Sequence, residues 1–265
     1  MKNSLFILVV AVFLVGCGDG NKEKTGKVDL QFSHCVDGKN LVLEQLIYTN
    51  AAGNTYQINE VKYFISSLYL LKTNNEWVKV TQNEGVHYVD LIYPNSLVWN
   101  LADIKAGDYK GISFIFGLNE ADNQSNRFVN SPEKDFFWPA VLGGGYHYLQ
   151  INGKWKDREE NLRNMNFHAG IGQLYKSNVT VIDSIYAFIH NYFRVDLPID
   201  FTVEKNKTAK LSLMMNIEKW FSTPIIYDHN YFGSGIMQNQ QAQDVIRQNG
   251  RNVFSVSKTE VKNER

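Results

Sequence analysis

From residue 28 onward the chain is written in short runs where apolar and polar residues alternate, and turn-forming pairs separate the runs. Period-two alternation marks strands with one buried face, because successive side chains on a strand point to opposite sides. Residues 28–34 set the pattern, with Val28, Leu30 and Phe32 in one phase. Residues 56–71 form a long aromatic and β-branched stretch, and 86–91, 109–116, 145–151, 177–183, 192–197, 200–203 and 210–217 continue it. Asn-Gly, Gly-Asn and Asp-Gly pairs lie between such runs, which predicts an all-β, antiparallel sandwich or barrel. Residues 73–76 and 204–208 read as hairpin connections. Helical spacing is confined to 237–248, where Ala242, Val245 and Ile246 share a face. The 14 tyrosines and 16 phenylalanines suit broad β surfaces, on which aromatic side chains pack well.

The first 26 residues follow another logic. Lys2 precedes an apolar run over 5–15 that is too short to span a bilayer and reads as the core of a signal peptide. Leu14-Val15-Gly16-Cys17 has the form of a lipobox, and a polar, glycine-containing stretch follows. The expectation is a signal peptide over 1–16, an acylated Cys17 opening a flexible tether over 17–26, and one folded domain over 27–260. Acyl chains on Cys17 would hold the protein at a membrane through buried methylenes. That places it in the cell envelope, at the outer membrane rather than the inner. Acylation leaves Cys35 with no partner, so no intrachain disulfide forms, and Cys35 is expected to be a small buried hydrophobe.

Balanced charge, 27 basic against 27 acidic residues, gives no electrostatic footprint for nucleic acid. Phosphate-binding glycine loops, a Gly-x-Ser-x-Gly elbow and a His-Glu-x-x-His motif are all missing, so no catalytic residues and no enzyme activity are predicted. The charged run 154–163, with Glu159 and Glu160, reads as a solvated loop.

Chemistry concentrates instead around a few histidines. Gly143, Gly144 and Gly145 free the backbone between Trp138-Pro139 and the run leading to His147, which suggests either a built loop or a corner between sheets. His34 ends the first strand and points opposite Cys35. His147 is expected on the face of Gly145 and Leu149, and His168 lies among small residues in Phe167-His-Ala-Gly-Ile-Gly172. Imidazoles converging from different strands suit copper or zinc, and the shortage of thiols argues against a cysteine-rich zinc site. In a β protein they serve equally as hydrogen-bonded structural residues.

These segments, taken in order, resemble the MbnP-like proteins, exported copper-binding β-sandwich proteins of which many are lipoproteins. The resemblance rests on Phe32-Ser-His-Cys-Val-Asp-Gly38, on residues 56–68 with Lys62-Tyr-Phe-Ile-Ser66, and on Gly107-Asp-Tyr109 with 112–117. It continues through Phe137-Trp-Pro139, residues 145–153 and the stretch from Phe167 to Gly172, and closes with 228–232 and 252–255. It implies a modified immunoglobulin-like sandwich with long loops, binding one copper ion. It also implies a partner, a di-haem, cytochrome c peroxidase-like enzyme, that oxidises a tryptophan to kynurenine. Carried over by position, the metal ligands are His34 and His168 and the tryptophan is Trp138; His147, an addition shared with only part of the family, is the third candidate ligand. Two departures stand out: Trp138 is followed by Pro139-Ala140 where a second tryptophan is usual, and Asn152-Gly153 replaces a glutamate-glycine pair. The expected function is copper binding for acquisition, storage or transfer. The alternative is a metal-free sandwich for adhesion or glycan binding.

Overall fold

A computed structural model describes residues 24–176 and 181–258. The expected signal peptide and the lipidation site at Cys17 lie outside these residues. In chain order the strands are β1 (Thr25–Val36), β2 (Lys39–Asn40), β3 (Tyr48–Thr49), β4 (Thr55–Lys72), β5 (Trp77–Lys79), β6 (Val86–Asp90), β7 (Val98–Lys105) and β8 (Gly107–Phe116). They continue with β9 (Leu149–Lys156), β10 (Leu162–Ala169), β11 (Ile171–Tyr175), β12 (Ile185–His190), β13 (Phe193–Val203), β14 (Thr208–Asn216) and β15 (Phe254–Lys258). Short helices α1 (Lys219–Ser222) and α2 (His229–Phe232) precede α3 (Gln240–Asn249).

Two open sheets face each other. The smaller runs β15-β14-β1-β2, with β7 also on β1; the larger runs β10-β9-β4-β8-β13, with β3, β5 and β6 also on β4. This is the expected all-β sandwich, with one departure from antiparallel pairing: β1 and β14 run parallel, from Lys27 opposite Thr208 to Cys35 opposite Asn216. Parallel neighbours need a crossover connection. Accordingly residues 204–207 do not close a hairpin but carry the chain from β13 in one sheet to β14 in the other.

Several boundaries also differ from the sequence reading. Thr25 and Gly26, assigned to the tether, already belong to β1. Residues 145–148 precede β9 and lie outside any strand. Of 177–183, residues 177–180 lie outside the described residues, and Ile182 begins a single 3-10 turn. The charged run 154–163 is a β-hairpin, β9 to β10, whose turn is held by Lys156–Glu160 and Arg163–Asp157 ion pairs, each at 2.7 Å. Residues 73–76 do join β4 to β5. Helix α3 buries Ala242, Val245 and Ile246, with Asn239 capping its first turn through Ala242 N–H at 3.0 Å.

The inward faces build one large core. Val28, Leu30 and Phe32 of β1 and Leu211, Leu213 and Met215 of β14 meet Tyr56, Ile58, Val61 and Tyr63 of β4 and Ile112, Phe114 and Phe116 of β8. With no disulfide among the described residues and Cys35 buried as a free thiol, apolar burial carries the fold.

A second, separate cluster covers the outer face of the larger sheet. Phe64 of β4 stacks on Phe128 at 5.2 Å and lies near Tyr88, Phe136 and Tyr146, so the long segment 117–148 is folded down onto the sheet. Phe64 reaches that face because β4 changes phase. Between Ile58 and Glu60 the register against β9 slips by one residue, a β-bulge at Asn59. Before it Tyr56 and Ile58 point inward. After it Val61, Tyr63 and Ile65 do, and Glu60, Lys62 and Phe64 are turned outward.

Candidate metal centre

The bulge at Asn59 matters because the outer face is where histidines meet. On β10, Met165, Phe167 and Ala169 enter the main core, so His168 between them points out. His147 reaches the same place from the covering segment. Gly143, Gly144 and Gly145 all have φ in the left-handed region, at 116°, 70° and 75°. That conformation is cheap only for glycine, and it folds 145–147 back along 136–138. Trp138 N–H donates to the Gly145 carbonyl at 2.8 Å and His147 N–H to the Phe136 carbonyl at 2.9 Å. Tyr148 N–H then donates to the Ala169 carbonyl at 2.8 Å, joining this loop to the end of β10. The two imidazoles end 5.2 Å apart, centroid to centroid, nearly perpendicular.

Trp138 closes one side. Its ring meets the His147 imidazole edge to face at 4.8 Å, and its indole N–H donates to the Leu142 carbonyl at 3.1 Å. Phe136 stacks on His147 at 5.0 Å. The Trp138 ring lies directly on the Gly170 backbone: a Cβ there would fall 2.6–2.7 Å from three ring atoms. Gln243 of α3 braces that backbone, its amide N–H donating to the His168 carbonyl at 2.7 Å while its oxygen accepts from Gly170 N–H at 3.3 Å. A cleft of about 640 Å³, lined by Phe137, Val129, Lys134 and Tyr146, opens beside Trp138.

His34 is elsewhere. It projects from β1 into the space between the sheets, and its Nε2 lies 3.1 Å from the Tyr63 hydroxyl. Tyr63 points inward from β4, so the larger sheet stands between His34 and the outward His168. The sequence reading grouped His34 with His168. The structure brings His168 to His147 instead. Among the described residues no three His, Cys, Asp or Glu side chains gather as a metal-binding group.

A family model described as MbnP matches residues 25–239. The chain belongs to the MbnP family. Among solved structures, MbnP from Methylosinus trichosporium has the same fold: TM-score 0.58 at 16% identity, covering 89% of this chain and all of that one. No sequence among curated proteins matches significantly.

The electrostatics of this MbnP-family site keep both imidazoles uncharged. Burial lowers the His147 pKa to about 4. It lowers that of His168 to about 3, with His147 and Lys62 adding to the effect and Glu60 opposing it. Both rings are neutral at pH 7, each with one N–H and one lone pair. His147 Nδ1 is 3.3 Å from the Phe136 carbonyl, which can only accept, so Nδ1 carries the N–H. His168 Nε2 is 2.7 Å from Asn152 Oδ1, and its Nδ1 is buried with no partner. An unpaired buried nitrogen is costly unless something binds there; His190 Nδ1 and His229 Nε2 are buried without a partner as well, but neither has a second imidazole beside it as His168 does.

His87 and His229 serve packing in this MbnP-family fold. His87 stacks between Phe32 and Trp99, at 5.1 and 5.0 Å, with Nε2 on the Ser96 carbonyl at 2.8 Å. His229 is buried among Trp155, Tyr56, Phe221 and Tyr227. His190 ends β12. Sequence reasoning missed Gly170, Gln243, Asn152 and Glu60. Gly170 stood inside the small-residue stretch noted around His168, but its contribution is the close approach of Trp138.

One variant tests that approach. Gly170 is pinned on both sides, since its carbonyl also accepts from Asn191 at 3.0 Å. Gly170→Ala should therefore destabilise by about 1–3 kcal/mol through overpacking and shift the near-ultraviolet circular dichroism as Trp138 moves. An unchanged urea midpoint and spectrum would show that the ring has room to retreat.

Proposed function

We propose that this MbnP-family protein binds one copper ion between His147 and His168, and does so as a lipid-anchored protein of the cell envelope. The observation that carries the reading is the pairing of two buried, neutral imidazoles 5.2 Å apart, one of which has a buried, partnerless Nδ1. Imidazole nitrogen suits copper, while protein zinc sites are almost always completed to four ligands, which this place does not offer. Two nitrogens with one wall of aromatic rings fit the low coordination numbers that cuprous ion accepts. His34 has no part in this proposal, because its Nε2 already faces the Tyr63 hydroxyl.

Trp138 supports the same reading as the residue lying against His147. A di-haem, cytochrome c peroxidase-like partner would convert it to kynurenine, whose amine and ketone are further donors beside the pair. The cleft of about 640 Å³ gives such a partner's chemistry a way toward the ring. The protein's part is to hold and release the metal; the residues named are ligands and neighbours of ligands, and none is assigned a catalytic step.

Copper loading decides the matter. Protein beginning at Lys24 should take up one equivalent of copper, His147→Ala and His168→Ala should each lose it, and His34→Ala should retain it. Equal loading of the two site variants and the parent would sink the proposal. Loss in His34→Ala alone would move the site to the inner face. A parent that binds no copper would favour an adhesive or glycan-binding surface built on the exposed Phe137, Tyr186, Phe188 and Tyr231. Mass spectrometry of the peptide carrying Trp138, from protein produced together with the partner enzyme, should find kynurenine; an intact tryptophan would remove that part.

A further inference from the structure

We infer that Glu60 and Asn152 form a positioning relay that fixes which nitrogen of His168 carries the proton, and so keeps the lone pair on its buried Nδ1. The logic starts from what a carboxylate can do. Ionised, it only accepts hydrogen bonds. Glu60 Oε2 receives Asn152 Nδ2 at 2.7 Å and Gln150 Nε2 at 3.0 Å, and Lys62 pairs with its other oxygen. Burial alone would raise the Glu60 pKa, but the bonds from Lys62, Asn152 and Gln150 outweigh it and hold the group below its ordinary value. The Asn152 amide therefore has one orientation: its NH₂ must face Glu60. Its oxygen is then left facing His168, at 2.7 Å from Nε2. An amide oxygen cannot donate, so Nε2 must be the protonated nitrogen, and Nδ1 keeps the lone pair. Each step is forced by donor and acceptor capacity and needs no assumption about hydrogen positions.

The fold supplies the parts in a row. Asn152 is the register partner of Glu60 across β4–β9, and Gln150 is that of His168 across β9–β10. Only because the bulge at Asn59 reverses the phase of β4 does Glu60 stand outside with them. Without the slip, Glu60 would point into the aromatic core. The bulge therefore serves the outer face. Hydrogen bonds from a ligand's second nitrogen to an acceptor commonly set tautomer and basicity in metal sites. Here the acceptor is an amide whose own direction is set by a charge one strand further away.

Relevance to copper rests on the reading of His168 as a ligand, but the relay is testable in metal-free protein. Nitrogen-15 NMR of the imidazole distinguishes the two tautomers by their ring shifts. The parent should show His168 protonated at Nε2 alone. Glu60→Gln leaves shape intact but lets the Asn152 amide reverse, and should populate the Nδ1–H form. The double variant Glu60→Gln/Asn152→Asp returns a carboxylate to face His168, with the new amide at position 60 donating to it, and should restore the Nε2–H form. A parent protonated at Nδ1, or Glu60→Gln leaving His168 wholly in the Nε2–H form, overturns the relay, as does failure of the double variant to restore it. In copper titrations Asn152→Leu should weaken binding about 10–100-fold. If the tautomers respond as stated and the parent binds no copper, the copper reading falls and the relay stands. If copper binds and the tautomer ignores Glu60, the reverse holds.

Discussion

Taken from pH 7 to pH 4, the metal-free protein should unfold cooperatively, with its midpoint inside that interval. Five imidazoles drive this. Burial lowers His34, His87, His147 and His229 to about 4 and His168 to about 3, against 6.5 for a free ring. Between 4 and 6.5 the unfolded chain binds more protons than the folded one, so stability rises with pH across that window and falls as pH is lowered through it. At about 1.4 kcal/mol per pKa unit, each ring forfeits on the order of 3 kcal/mol by pH 4. Together they rival the ~5–15 kcal/mol of a whole domain. Glu218 opposes them: burial raises it to about 7 from 4.5, so its contribution is lost as pH rises through 7 and regained on acidification. One carboxyl cannot offset five imidazoles. Circular dichroism against pH measures the midpoint, and His87→Phe, which keeps an aromatic plate between Phe32 and Trp99, should lower it. A protein still folded at pH 3.5 would mean that the buried rings charge without cost.

Phe116→Ala should cost about 4 kcal/mol, toward the upper part of the range for such truncations. Phe116 is 1% exposed, and four rings from four elements close on it: Tyr63 at 5.6 Å, Phe193 at 5.2 Å, Trp220 at 5.3 Å and Phe254 at 5.5 Å. Rings held by β4, β13, β15 and α1 cannot all slide inward, so the cavity stays open, and its residual volume adds to the lost transfer energy. Phe116→Leu fills most of the space and should cost far less. Urea unfolding should show a lower midpoint with an unchanged slope. A loss below about 1 kcal/mol for the alanine variant would show that the core collapses onto the hole.

Much of the fold was legible because alternation is local. The phase of Val28, Leu30 and Phe32 is visible in the chain itself, and so is that of Ala242, Val245 and Ile246 in α3. What escaped depends on partners. Nothing in residues 204–208 distinguishes a hairpin from a step between sheets, and nothing in 27–35 announces that its parallel neighbour is the distant run 208–216. β10 was hidden because Arg163, Asn164 and Asn166 give its sequence the look of a loop. At the site, His168 and Trp138 were legible from their setting. His147 was placed on the face of Leu149, but the left-handed Gly143–Gly145 backbone breaks the alternation that inference relied on, and Leu149 itself is in the main core. His34 shares its sequence prominence, yet which side of which sheet a strand residue faces is decided by packing. Glu60 could not have been found without the register slip.

That the histidine pair and the aromatic core occupy opposite sides of one sheet has a consequence for how the molecule can work. Phe167 and His168 are adjacent in the chain, but what happens to one reaches the other only through a shared, hydrogen-bonded backbone. Under the proposed function, copper would arrive at or leave the outer side while the interior keeps its contacts. Exchange of a copper ion bound there would then involve the covering loop and a few side chains, and would not require the fold itself to open.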